Sequence, residues 1–195
     1  MGTRGVWGFI VDGRRLFSYN HWDSYPSGLG RDLAQDLADY PGTLDELKEE
    51  VRKIKMVSEN VEPTEEEIEK LLQHADLGVS TKSPKEWYVL LRDLQGKLAL
   101  TVEAGYMIEG FEFGYDGLFC EWGYVIDLDA AKFVVYGGGW TERTENHGDG
   151  IWFEASGDEK GIRPCAAAYD LEDALIGQLG DQMDKLEAYL GGDDA

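Results

Sequence analysis

The chain is poor in cysteine. It has 195 residues but only two cysteines, Cys120 and Cys165, which match no metal-ligand spacing. A small secreted domain that depends on disulfides carries several cysteines at short intervals. We therefore expect two reduced thiols in a reducing compartment, which predicts a cytoplasmic protein.

Long apolar runs are also missing from the sequence. No segment approaches the about 20 consecutive apolar residues that a membrane-spanning helix needs, and no charged-then-apolar leader is recognisable. The initial Met-Gly does not match an acylation signal, because Val6 stands where Ser or Thr is required. The sequence thus predicts a soluble protein without a membrane anchor.

Positive charge is scarce. The 18 lysines and arginines are outnumbered by 39 aspartates and glutamates, which gives a net charge of −21. This charge repels the phosphates of nucleic acids and the surface of anionic membranes, so direct binding to either is not expected. The acidity has two open explanations: an adaptation of the whole proteome to solubility or high salt, and an acidic face that docks on a basic protein partner.

The apolar pattern predicts an α+β fold in a single domain over residues 1–195, with 190–195 as a frayed tail. Asp12-Gly13, the strongest short hairpin motif, separates predicted strands at 4–11 and 14–20. A second hairpin is predicted at 118–127 and 132–136, and a late strand at 163–169. The sheet is therefore expected to be antiparallel, built from two hairpins and covered by helices.

Helices are predicted in the middle and at the end of the chain. Thr43 and Glu46 have the spacing of a capping box, and Ser83 followed by Pro84 marks another helix start. The predicted helices are 29–40, 43–56, a segment that begins near 64, one from 84 to a stop at Gly96, 97–104 and 171–190. Residues 140–161 are expected to form an exposed excursion.

Polar and aromatic side chains crowd together directly after the first hairpin. The segment from Tyr19 to Gly30 reads Tyr-Asn-His-Trp-Asp-Ser-Tyr-Pro-Ser-Gly-Leu-Gly, and loops between a strand and a helix often carry sites. We expect a small-molecule site here. The candidate catalytic residues are His21, Asp23, Arg4 and Glu121, and the candidate ligand-binding residues are Asn20, Ser24, Tyr25, Trp22 and Thr3.

The hairpin register places Arg4 opposite His21 and within reach of Asp23. His21 is the proton carrier expected near neutral pH, while Arg4 and Asn20 would hold the negative charge that develops on an amide or a phosphoester during hydrolysis. In the alternative interpretation, the polar side chains of this loop merely satisfy neighbouring backbone groups. Both interpretations remain open at the level of sequence.

Glu121 lies between apolar residues in the predicted strand, and we expect it to be buried. A buried carboxylate must be paired, here with Arg4, or take up a proton. The structural interpretation is a core ion pair or a Glu at a sheet edge, and the functional one is a general acid or base. No metal or cofactor is expected, since only His147 and Asp149 offer a second His/Asp pair, and the glycines at 137–139 lack the Lys and Ser or Thr of a phosphate loop.

Three sequence motifs are distinctive: Met-Gly-Thr-Arg-Gly at the start, the Tyr19–Gly30 segment, and Cys-Glu-Trp-Gly-Tyr-Val-Ile-Asp-Leu-Asp from Cys120. They resemble a family of uncharacterised proteins from phages, actinobacteria and fungi, and the likeness covers most of residues 1–136. The resemblance implies no activity. A phage association would suit an inhibitor or sponge of a host defence system, which is the alternative to a small-molecule site.

The order Thr3, strand, turn, strand and the polar stretch 20–23 is also similar to the plan of N-terminal nucleophile hydrolases. In that family the first residue of the chain attacks the substrate with the help of its own free amine. Methionine removal here would leave Gly2 first, so Thr3 has no free amine. The resemblance therefore implies architecture more than chemistry. A small-molecule-binding protein or hydrolase and a non-enzymatic acidic protein remain the two candidate functions.

Overall fold

A five-stranded sheet forms the centre of the protein. The computed structural model describes residues 3–116, 118–137, 140–142, 153–155 and 166–191. The strands within these ranges are β1 (Gly5–Val11), β2 (Arg14–Asn20), β3 (Lys55–Val57), β4 (Tyr106–Ile108), β5 (Trp122–Asp127), β6 (Lys132–Gly137), β7 (Trp140–Glu142), β8 (Phe153–Ala155) and β9 (Ala166–Asp170). The central sheet has the order β2-β1-β5-β6-β9, and β3-β4 and β7-β8 form two small sheets.

The two predicted hairpins are confirmed. β1 pairs with β2 and β5 pairs with β6, both antiparallel, and β9 adds the late strand beside β6. The hairpins meet through β1 and β5, which are parallel, so the sheet is mostly antiparallel rather than wholly so. Residues 163–165 of the predicted late strand lie outside the described residues.

The register of the first hairpin follows from its two-residue turn. Val11 pairs with Arg14 and Gly8 with Phe17, as the Asp-Gly motif predicts. Gly8 is required here, because a Cβ at this position would lie 1.9 Å from the backbone oxygen of Leu16.

Helices cover the sheet, as predicted. In the described residues they are α1 (Arg31–Ala38), α2 (Leu44–Arg52), α3 (Glu65–Leu71), α4 (Trp87–Leu90), α5 (Leu98–Ala104), α6 (Leu171–Leu175) and α7 (Gly180–Gly191). The capping box of Thr43 and Glu46 starts α2 as expected. None of these helices combines the length and the apolar character that a membrane span requires.

Three predicted helices differ from those observed. Residues 53–56 do not continue α2, because β3 begins at Lys55 and pairs with β4. The predicted helix from residue 84 is reduced to α4 and a tighter turn at Arg92–Leu94. The C-terminal helix is divided into α6 and α7 at Gly177, which has a φ of +79°. Of the predicted frayed tail 190–195, residues 190–191 belong to α7, which ends at Gly191, and 192–195 lie outside the described residues.

Two apolar layers enclose the central sheet. Trp7, Phe9 and Tyr124 on one face pack with α1, α2, α6 and α7. On the other face Val6 and Phe17 belong to a second cluster, against which the turn Phe111–Tyr115 packs. These layers cover the two faces of the sheet, and the segment 19–30 begins at the end of the strands where β2 stops and β1 and β5 begin.

Charged side chains hold the opposite end, where the hairpins turn. The carboxylate of Asp129 accepts hydrogen bonds from the backbone N–H groups of Asp12 (3.0 Å) and Gly13 (2.9 Å), and from Lys48 Nζ (2.7 Å). Arg52 donates two hydrogen bonds to the carboxylate of Asp12, at 2.6 and 2.9 Å. These contacts tie α2 to both turns.

Candidate functional site

Buried hydrogen bonds anchor the loop that follows β2. The side-chain amide of Asn20 donates to the backbone oxygen of Trp22 (2.5 Å) and to Oγ of Ser24 (2.8 Å). The backbone N–H of Ser24 donates to the oxygen of Thr3 (3.2 Å), and the hydroxyl of Tyr124 donates to the oxygen of Ser24 (2.7 Å). Asn20 and Ser24 are buried. Their polar groups are thus used to fix the loop, as the structural interpretation of this segment predicts.

Asp23 lies at a turn of the chain, and its recorded side-chain interaction is with Tyr25. Its φ is +50°, and its backbone oxygen accepts from the N–H of Leu29 at 2.7 Å. Gly28 allows this approach, because a Cβ there would lie 2.2 Å from that oxygen. The negative charge of Asp23 raises the pKa of Tyr25. Within the described residues no hydrogen bond joins Asp23 to His21, so the two side chains do not form the pair that the sequence suggested.

His21 belongs instead to a row of aromatic rings along β2, which we call the aromatic row. Its Nδ1 lies 2.6 Å from the hydroxyl oxygen of Tyr19. The ring of Trp22 meets His21 edge-on at 4.3 Å, and Phe113 meets Tyr19 in the same way at 4.7 Å. Trp22 is 54% exposed and ends the row at the surface.

Arg4 does not pair with the carboxylates predicted for it. Its guanidinium lies over the ring of Phe119, 5.2 Å from the ring centre. Its backbone N–H donates to Oε1 of Glu121 (3.3 Å), and the N–H of Glu121 donates to its oxygen (2.9 Å). Among the described residues, the Arg4 guanidinium has no carboxylate partner.

Of the two positions expected for Glu121, buried in the core or at an edge, the buried one is wrong. Its side chain is exposed, because β5 begins one residue later at Trp122. The carboxylate accepts from a backbone group at the surface. Glu121 therefore needs neither a buried counter-ion nor a proton.

Arg92 is a residue of this site that the sequence gave no reason to select. Its guanidinium lies over the ring of Tyr88 at 5.4 Å and donates to the side-chain oxygen of Gln95. Gln95 in turn donates to the backbone oxygen of Tyr19 (3.2 Å), which attaches this segment to the edge of β2. In the described part of the chain Arg92, like Arg4, has no carboxylate partner.

Burial and these two arginines set the protonation state of His21. Burial lowers its pKa, and the positive charges of Arg92 and Arg4 lower it further. Burial also raises the pKa of Tyr19, so the phenol keeps its proton. The imidazole is the more basic partner, and we assign the Tyr19 O–H as donor and Nδ1 of His21 as acceptor. The imidazole is therefore neutral at pH 7, and its proton lies on Nε2.

Carboxylates surround the other side of the loop. Burial raises the pKa of Asp32, and the neighbouring charges of Asp36 and Asp23 raise it further. Glu187 on α7 accepts the backbone N–H of Ser27 at 2.7 Å. One side of the loop thus carries Arg4 and Arg92, which have no carboxylate partner in the described part of the chain. The other side carries several carboxylates.

No group of three or more metal-ligating side chains is present in the described residues. His147, Asp149, Cys165 and the glycines at 138–139 lie outside them. Cys120 is buried, and burial raises the pKa of its thiol to about 12. That thiol is protonated at neutral pH and is a poor nucleophile.

Comparison of the chain with family models, curated proteins and solved structures finds no match. The resemblance to proteins of phages, actinobacteria and fungi stays a prediction, and so does the likeness to N-terminal nucleophile hydrolases. We therefore infer function from the geometry of Arg4, His21, Trp22 and Arg92.

Proposed function

We propose that the protein binds a small anionic molecule at the surface formed by Arg4, His21, Trp22 and Arg92, which we call the arginine surface. The supporting observation is the state of the two arginines. The chain has a net charge of −21, yet both guanidiniums rest on aromatic rings without a carboxylate partner among the described residues. Both charges also act on the His21 ring. An unneutralised pair of this kind attracts an anion.

The side chains indicate the chemical class of the ligand. A guanidinium presents a planar set of N–H donors that matches a carboxylate or a phosphate. The Nε2–H of the neutral His21 ring adds a further donor. Trp22 is 54% exposed and offers a flat apolar surface beside these groups, on which an aromatic ring stacks favourably. The expected ligand therefore carries a carboxylate or phosphate next to a flat ring.

The contacts of the loop favour binding over hydrolysis. Nδ1 of His21 is occupied by Tyr19, and Asp23 lies beside Tyr25 instead of orienting the imidazole. Ser24 is 0% exposed and its hydroxyl accepts from Asn20. A nucleophile and a base within hydrogen-bond reach of each other are the signature of covalent catalysis, and these residues do not provide one.

Calorimetric titration of variants tests the proposal. The panel contains benzoate, inorganic phosphate and nucleoside monophosphates, and the variants are Arg4→Gln and Arg92→Gln. Loss of a charge-assisted hydrogen bond should weaken binding of a panel ligand by about tenfold or more. Lys132→Gln is the matched control, since it removes one positive charge at the opposite end of the sheet, where Lys132 contacts Asp170 at 2.7 Å. The proposal fails if no panel compound binds, or if both arginine variants bind as well as wild type.

An acidic docking surface is the second candidate function. The observation that favours it is the grouping of Asp23, Asp32 and Asp36. Burial is the main cause of the raised pKa of Asp32, and the negative charges of Asp36 and Asp23 raise it further against the opposing charge of Arg31. Poly-lysine serves as the basic probe. The double variant Asp32→Lys, Asp36→Lys should weaken poly-lysine binding while leaving anion binding unchanged, whereas Arg92→Gln should do the reverse.

A further inference from the structure

A small cavity lies beside the arginine surface, between the central sheet and the segment 88–108. Trp7 and Ser18 of the sheet form one wall, and Tyr88, Gln95, Thr101 and Met107 are among the residues of the other. The cavity volume is about 20 Å³, which is room for one group the size of a water molecule. None of its lining residues carries a charge.

Trp7, one of the wall residues of this cavity, has a buried indole N–H without a hydrogen-bond partner in the described part of the chain. Trp7 is 1% exposed, and its Nε1 has no acceptor among the described residues. Buried N–H groups in native proteins are almost always hydrogen-bonded, and an indole N–H is a donor only. The position therefore calls for an acceptor atom that the described chain does not supply.

Two polar side chains of the cavity, those of Thr101 and Gln95, already make hydrogen bonds to other groups. The hydroxyl of Thr101 donates to the backbone oxygen of Leu94 (3.2 Å). The amide of Gln95 donates to the backbone of Tyr19, and its oxygen accepts from Arg92. The hydroxyl-bearing residues Ser18, Tyr88 and Tyr106 also line the cavity, but none of them is bonded to the indole of Trp7, so a bound molecule can supply the acceptor.

The cavity and the arginine surface share a wall. Tyr88 lies under the guanidinium of Arg92 and Gln95 is bonded to it, and both also line the cavity. Tyr88 and Gln95 are partly exposed, whereas Trp7 and Thr101 are buried. The cavity therefore adjoins Arg92 at Tyr88 and Gln95 and reaches the buried Trp7.

We infer that this cavity is the inner end of the ligand site and takes an uncharged carbonyl oxygen that accepts the N–H of Trp7. The inference rests on the proposed function and narrows it: the ligand carries a carboxylate or phosphate for Arg92 and a carbonyl group that enters the cavity. A charged group is excluded from the inner end, because no charged side chain faces it there.

Matched ligand pairs test the inference. The probes are 3- and 4-acetylbenzoate, each compared with the isopropylbenzoate of the same shape that lacks the carbonyl oxygen. Affinities are measured for wild type, Trp7→Phe and Arg92→Gln, and the indole proton of Trp7 is followed by NMR. In wild type one acetylbenzoate should bind about three to tenfold more tightly than the isopropylbenzoate of the same shape, because it makes one additional hydrogen bond. It should also move the Trp7 indole proton downfield, and Trp7→Phe should abolish the preference.

The outcomes separate the inference from the proposed function. Equal binding of both members of each pair, with the Trp7 signal unmoved, overturns the inference and leaves the anion site intact. If neither benzoate binds, or if Arg92→Gln binds both normally, the arginine surface is not the site. Neutral acetophenone then decides the cavity alone: a shifted Trp7 signal supports it, and an unmoved signal overturns it. These readouts need only wild type if Trp7→Phe does not fold.

Discussion

The hydroxyl oxygen of Tyr19 lies 2.6 Å from Nδ1 of His21. Because the phenol keeps its proton and the imidazole is neutral, this hydrogen bond directs the Nε2–H of His21 away from β2. Arg4 and Arg92 then act on a ring that is a donor rather than a base. This relationship supports our proposal that the loop holds an anion rather than removes a proton.

Replacing Tyr19 by Phe tests the role of this hydrogen bond. Tyr19→Phe leaves the ring in place and frees Nδ1, so the imidazole is no longer held in one orientation. We expect affinity for the anionic ligand to fall about three to tenfold and the free energy of unfolding to fall by about 1 kcal/mol. Tyr189→Phe is the control, since Tyr189 is 76% exposed. Calorimetry that finds Tyr19→Phe equal to wild type in affinity would show that the orientation of His21 is irrelevant.

Asn20 is expected to stabilise the loop rather than bind ligand. Asn20→Ala removes the hydrogen bonds to Trp22 and Ser24, which should cost about 2 kcal/mol of unfolding free energy, or roughly 4–8 °C in melting temperature. The matched control is Asn60→Ala, because Asn60 is exposed. Equal melting temperatures for the two variants would contradict this role.

Asp127 should make the protein less stable as the pH rises. It is 1% exposed; its Oδ1 accepts the N–H groups of Asp129 (2.9 Å) and Ala130 (2.8 Å), while Oδ2 has no partner in the described residues. Burial raises the pKa of this carboxyl. A folded-state pKa above the unfolded value gives stability that is present below the unfolded pKa and lost as pH rises through the folded one.

Asp127→Asn keeps an Oδ1 acceptor and cannot ionise. At pH 7 we expect the variant to be about 1 kcal/mol more stable than wild type. This difference should disappear at about pH 2, below the unfolded pKa of about 4, where the carboxyl of Asp127 is protonated in both states. Chemical unfolding at several pH values measures this, with the exposed Asp93→Asn as control. A variant that is less stable than wild type at pH 7 would refute the assignment.

Asp129 should have the opposite pH dependence. Burial alone would raise its pKa, but the hydrogen bonds from Lys48, Gly13 and Asp12 outweigh burial and lower it. Its stabilisation is therefore present above the unfolded pKa of about 4 and is lost as pH falls through the folded value. Asp129→Ala should cost about 1–2 kcal/mol at pH 7 and almost nothing at about pH 2. A cost that is the same at both pH values would contradict this account.

The hairpin and the α+β class were predictable because their determinants are local. Asp12-Gly13 permits one tight turn, and this turn alone fixes the pairing from Val11 and Arg14 to Gly5 and Asn20. The capping box at Thr43 is local in the same sense.

The neighbours of the candidate site residues were not predictable from the sequence. The expected position of Arg4 beside His21 assumed that the ladder continues past Asn20, whereas the chain leaves it there and the N–H of Ser24 bonds to Thr3. Arg92 is brought to β2 by tertiary contacts of Gln95 with Tyr19. No local pattern records such a contact.

The pKa of His21 is the most direct test of anion binding at the arginine surface. It is measured from the NMR titration of the ring in wild type, Arg92→Gln and Lys132→Gln, with and without sulfate at constant ionic strength. The account predicts a wild-type pKa below the ordinary value of 6.5, a rise in Arg92→Gln, no change in Lys132→Gln, and a rise when sulfate binds. A pKa at or above 6.5 that responds neither to Arg92→Gln nor to sulfate would contradict it.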